Sequence, residues 1–162
     1  MASTLPETAA SRPVLFAYDG SELAELAIEE AGRQLAPGRD ALILCVWQPA
    51  DVGFLPVGDE QFDAQNATQV QNAAQQTATH GAWLAERAGF RPHSIAVEAA
   101  PTWKGILETA QERKASLIVL GSHRRRGLVG QLLGSVAAAV VTHSPTSVLV
   151  VRSDPETATS EA

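Results

Sequence analysis

Five short apolar runs alternate along the chain with longer stretches in which apolar residues recur at helical spacing. The runs are 14–18 (VLFAY), 41–47 (ALILCVW), 95–99 (IAVEA), 116–120 (SLIVL) and 146–152 (TSVLVVR). A run that is apolar throughout, such as 41–47, predicts a strand covered on both faces, whereas Ile95, Val97 and Ala99 alternate and are closed by Pro101. After the first run, Ala24, Ala27, Ile28, Ala31 and Leu35 form a helical stripe with Glu22, Glu25 and Glu29 on another face. Ser21 is placed to cap this helix, and Pro37-Gly38 to stop it. Val70, Ala74, Ala78, Leu84 and Ala88 predict a helix over 67–88 that ends at Gly89. Residues 48–66, with Pro49, Gly53, Pro56 and Gly58, predict a mobile loop. Helices over 102–114, with Ile106, Leu107 and Ala110 inward, and over 135–143, ended by Ser144-Pro145, complete the alternation. This rhythm predicts an α/β fold, an open parallel five-stranded sheet with helices on both faces.

Composition narrows the picture. With 162 residues, 45% hydrophobic and 19% charged, the chain is long enough for one domain, predicted over 13–152. Such a domain buries roughly 70% of its unfolded surface. The polar ends, 1–12 and 153–162, are expected to be disordered tails. A formal charge of −6 argues against a nucleic-acid or anionic-membrane surface, with Arg124, Arg125 and Arg126 as a local exception. The one cysteine, Cys45, lies in an apolar run and reads as a core thiol, which excludes an internal disulfide. His80, His93 and His143 show no metal-ligand spacing with one another or with Cys45. Trp47, Trp83 and Trp103 are scattered and are expected to pack. The start of the chain is neither basic nor apolar, and no run approaches the roughly 20 apolar residues of a membrane span, so a cytoplasmic location is expected.

The candidate chemistry lies in 121–136, GSHRRRGLVGQLLGSV, between the fourth strand and the fourth helix. Glycines free backbone N–H groups in such a loop, and a helix N-terminus opened by Gly134 and Ser135 attracts an anion without a basic side chain. The chain has no GxxxxGK[ST], no GxGxxG and no GxSxG motif, and no HIGH-type or SGG-type adenylate-forming loop, so an efficient enzyme is not expected.

The strand and helix order, Asp19 after the first strand, Gly121-Ser122-His123 after the fourth, and the Gly134-Ser135-Val136-Ala137 sequence together resemble the universal stress protein family. The resemblance covers about 13–152 and implies a Rossmann-like fold. In ATP-binding members the loop carries a glycine, two residues, a second glycine, nine residues, then glycine and serine or threonine. Gly121 and Gly134-Ser135 match that register; the second glycine is Arg124 here. The resemblance implies a pocket for ATP or AMP, with Mg²⁺ carried by the phosphates. Ala17, Tyr18 and Val46 would line it, Leu120 would lie beneath, and Asp19 would stand on the base or ribose side, or serve only as a turn residue. Gly121 would leave room for the ribose. Ser122 and His123 would lie along the loop, His123 as a loop or ribose-side contact with no assignable catalytic partner. Gly134, Ser135 and Val136 would offer N–H groups, and Ser135 its hydroxyl, to phosphate oxygens.

Arg124 leaves two alternatives. If the second glycine serves a left-handed turn, arginine costs roughly 1–2 kcal/mol there or moves the loop. Alternatively the guanidinium groups of Arg124–Arg126 contact phosphates directly, or Gly127 takes the turn in a shifted register. The run 146–152 should form a sheet edge, and the resemblance implies a homodimer built on it. The expected function is a dimeric, adenine-nucleotide-binding stress-response module with at most weak ATP hydrolysis. The alternatives are a dimeric interaction protein whose loop no longer holds nucleotide, and a weak ATPase.

Overall fold

A computed structural model describes residues 12–48, 60–122 and 133–153. In chain order the elements are β1 (Val14–Ala17), α1 (Glu22–Gln34), β2 (Asp40–Trp47), α2 (Glu60–Arg87), β3 (Arg91–Glu98), α3 (Thr102–Glu112), β4 (Leu117–Gly121), α4 (Ser135–His143) and β5 (Ser147–Val151). The five strands form one sheet in the order β3-β2-β1-β4-β5, and every pairing is parallel. The predicted α/β architecture with helices on both faces is therefore what the chain adopts.

The central position of β1 explains its composition. Consecutive residues of a strand point to opposite faces, and both faces here are covered. Val14 and Phe16 face α1 and α2, in a core with Ala27, Ile28, Ile43 and Val119; Leu15 faces α3 and α4, with Leu42, Leu44, Ile106, Ile118 and Val140. Each fully buried Leu, Ile or Phe contributes about 1.5–3 kcal/mol relative to exposure. α1 is built as its sequence suggests. Ser21 Oγ accepts the Ala24 N–H at 3.2 Å, and Ala24, Ala27, Ile28 and Ala31 are buried. Cys45 is buried beside Trp47, Ala74 and Ala78.

Some expectations shift. α2 begins at Glu60, so the last part of the loop predicted over 48–66 is helical. The reason lies in the residues: every proline and glycine of that segment precedes Glu60, and 60–66 contains no breaker. β3 starts at Arg91 rather than Ile95, because β2 extends the pairing down to Asp40↔Arg91, where the two side chains form a 3.0 Å ion pair. Trp47 packs as expected and Trp103 stacks on His143, but Trp83 is 51% exposed, in ring contact with His80 and with the Arg87 guanidinium on α2. Of the predicted tails, Arg12 and Ser153 alone fall among the described residues. Among those residues no helix is long and apolar enough to cross a membrane.

Candidate functional site

β1 and β4 are hydrogen-bonded neighbours whose chains depart in opposite directions: α1 leads to β2 on one side, α4 to β5 on the other. The helices also leave on opposite faces, α1 with the core of β1's Val14 and Phe16, α4 with that of Leu15. Such a switch point leaves a crevice at the carboxyl ends of the strands. The crevice is a cleft of about 130 Å³. Ala17, Tyr18 and Asp19 reach it from the end of β1, Leu44 and Val46 from β2, Leu120 and Gly121 from β4, and Val136 from the first turn of α4. Ser21 and Ala24 close it on the α1 side, Thr102 and Ile106 on the α3 side.

Local sequence fixes each of these groups. Gly20 has φ +81°, a left-handed turn that brings the chain from β1 into α1. That turn sets Asp19 at the exposed mouth, with its Oδ1 accepting the Ser21 N–H at 3.0 Å. Asp19 is thus a turn residue that also lines the cleft. Tyr18 is buried, and its N–H donates to the Leu44 carbonyl at 2.8 Å, which extends the β1–β2 pairing to the cleft wall. Burial, with the neighbouring Glu25 carboxylate 3.5 Å from the hydroxyl, pushes the Tyr18 phenol up to about 12. It is a neutral wall at physiological pH. Thr102 Oγ1 accepts from Gln48 Nε2 at 3.0 Å, tying the start of α3 to the end of β2.

The fourth helix opens on the cleft without a side-chain cap: Gly134 is its N-cap, with φ −57° and ψ 155°. This backbone suits any residue, so conformation does not explain the glycine. The first N–H groups of a helix lack intrahelical partners and carry partial positive charge. The Gly134 N–H, expected among the phosphate ligands, is instead donated to Ser122 Oγ at 3.0 Å. Ser122, placed along the loop by the sequence, is only 3% exposed and is not among the residues lining the cleft. Ser135, Val136 and Ala137 remain as the amides without helical partners at that end. Gly121 lines the cleft, and a Cβ there would meet the α1 backbone at Leu23 O, 2.8 Å away, so helix packing by itself requires a glycine at this position.

Ala17, Tyr18, Asp19, Val46, Leu120, Gly121 and Val136, which the resemblance groups together, line one cleft, with Gly134 and Ser135 at the adjoining helix start. His123 and Arg124 lie outside the described residues, as do Arg125, Arg126 and Gly127. Sequence reasoning missed Ser21, Ala24, Leu44, Thr102 and Ile106. The right-handed crossover rule gives the face on which α3 carries the chain from β3 back to β4, but not which of its residues reach this end of β1. Among the described residues lining the cleft none is lysine or arginine, and the walls are mostly aliphatic. The arrangement suits a flat, largely apolar group against Leu44, Val46, Ile106 and Leu120, with an anion at the start of α4. Among the described residues no group of three or more His, Cys, Asp or Glu is placed to hold a metal ion.

Known proteins with this pattern are found by sequence and by shape. A model described as the universal stress protein family matches residues 10–152. A universal stress protein of Mycolicibacterium smegmatis is 35% identical over 144 residues, which is 86% of this chain and 45% of the relative. The chain thus spans less than half that relative's length. The hypothetical protein MJ0577 superimposes with a TM-score of 0.73 at 25% identity, over 90% of this chain and 98% of its own. A universal stress protein in complex with cAMP gives a TM-score of 0.62 at 28% identity, over 90% of this chain and 99% of its own. The family match spans both sides of the cleft, from β1 through β5, and the chain belongs to the universal stress protein family.

Proposed function

We propose that the chain binds an adenine nucleotide, ATP or AMP, in the cleft between the ends of β1 and β4, and acts as a dimeric stress-response module rather than as an efficient enzyme. One observation carries this reading: Asp19 from β1 and Val136 from the uncapped start of α4 line the same aliphatic cleft. The purine lies against the aliphatic walls, the ribose near Asp19, and the phosphates at the Ser135, Val136 and Ala137 amides, where the helix end contributes roughly half a positive charge. The cAMP complex of a similar protein supports an adenine nucleotide as the ligand class. Asp19 is the one carboxylate among the described lining residues, so Mg²⁺ would arrive on the phosphates rather than in a protein cage. Tyr18, with its phenol at about 12, stays protonated at neutral pH and does not serve as a general base.

The two sheet edges support dimerisation through β5. At the β3 edge, Gln75 Oε1 accepts the Ala96 N–H at 3.2 Å and Nε2 donates to Ser94 Oγ at 3.1 Å, so a side chain occupies the strand's outer face. Among the described residues β5 pairs with β4 alone, and it carries half-buried Val148, Leu149 and Val150. An unprotected apolar edge is suited to pairing with a second copy. Calorimetric titration with ATP, AMP and cAMP tests the nucleotide reading. Saturable binding of at least one is expected. Binding of none would overturn it in favour of a nucleotide-free interaction protein.

A further inference from the structure

We propose that Ser122 is a positioning residue: it latches the two ends of the loop that joins β4 to α4 and thereby sets which amides are offered to an anion. The inference rests on the nucleotide reading above and adds a residue that does not itself line the cleft. Ser122 directly follows β4 and is nine-tenths or more buried. Its N–H donates to the Val151 carbonyl at 3.0 Å, fixing it to the last residue of β5. Its Oγ accepts the Gly134 N–H at 3.0 Å, twelve positions further along the chain. The strand end and the helix start are thus held by one hydroxyl, whatever the intervening residues do.

Two consequences follow. The first turn of α4 is placed relative to β4, so Val136 and its neighbours face the cleft. The N-cap amide is consumed, leaving Ser135, Val136 and Ala137 to meet the anion. Alanine at 122 would fill nearly the same space but take the partner from the part-buried Gly134 N–H, which the helix start must move to satisfy. Threonine keeps the hydroxyl.

Wild type, Ser122→Ala and Ser122→Thr are compared in two ways: amide hydrogen exchange without nucleotide, and calorimetry with ATP and with adenosine. In the wild type, Gly134 exchanges more slowly than Ser135. Ser122→Ala speeds Gly134 exchange and weakens ATP about tenfold while leaving adenosine within about twofold, and Ser122→Thr restores both. Equal exchange of Gly134 and Ser135 in the wild type, or equal losses for ATP and adenosine in Ser122→Ala, would overturn the proposal. If the wild type binds no nucleotide, the proposed function fails, and the exchange of Gly134 still decides whether the latch exists.

Discussion

A Cβ on Gly121 would stand 2.8 Å from the carbonyl oxygen of Leu23 and 2.8 Å from its Cγ, so the end of β4 and the first turn of α1 meet with no space for a side chain. The glycine that opens the loop is thus required by the scaffold before any ligand enters. Because one of the opposing atoms is backbone, the contact is not relieved by a rotamer change.

Gly121→Ala is therefore expected to destabilise the nucleotide-free protein by about 1–3 kcal/mol, the usual cost of overpacking. Urea unfolding without ligand measures it. A loss of nucleotide affinity with unchanged stability would return the glycine to a ligand-facing role.

Val136→Glu separates fold from binding. An acidic side chain in the first turn of α4 complements the helix dipole and should leave stability unchanged or raise it by about 0.3–1 kcal/mol. The same carboxylate stands at the cleft and repels phosphate. The melting temperature should hold or rise while ATP affinity falls at least about tenfold. Undiminished ATP binding would place the phosphates elsewhere.

Tyr18 predicts a pH dependence in the alkaline range. Below pH 10, folded and unfolded chains both keep the phenol proton. Between about 10 and 12 the unfolded chain releases it and the folded chain retains it, so rising pH favours unfolding and stability is lost across that window. Tyr18 is the single tyrosine, so ultraviolet titration reads it directly, with an expected midpoint near 12. Tyr18→Phe should flatten this part of the stability profile. A midpoint near 10 in the folded protein would show that the ring is not sealed against the sheet.

The β5 edge makes a claim about mass. Leu149 lies mid-strand, paired with Val119 in register, and is half-buried in the single chain. Leu149→Lys should convert a dimer into a monomer in sedimentation experiments, because a charge in a dry strand interface has no partner. A dimer of unchanged mass would exclude this edge as the interface.

The sequence reveals most of this fold because the pattern and the packing agree. VLFAY, ALILCVW and SLIVL are apolar on both faces for the reason that their strands are covered on both faces, and Ser21 and Gly89 mark helix ends where they stand. The candidate cleft is legible at Asp19, Gly121 and Val136, since each sits beside a strand end or a helix start. What is not legible depends on contacts between distant segments. Nothing local in Gly121 announces Leu23, and Ser122 gives no sign that its hydroxyl turns inward to Gly134. Thr102 and Ile106 enter the cleft only because α3 crosses back over the sheet, a tertiary fact that helical periodicity does not carry. Trp83 fails in the opposite way: an aromatic residue on a helix suggests packing, but its position on α2 faces outward, where its contacts with His80 and Arg87 leave it half exposed.

The central claim is a location, and an amide-resolved magnetic-resonance titration of the isotope-labelled full chain with ATP reads location directly. Saturating shifts at Asp19, Gly121, Ser135 and Val136, with the β3 edge and the far ends of α3 and α4 unchanged, are the predicted result. Saturating shifts confined to that distant end, around Lys114 and His143, or no shifts at all, would contradict it.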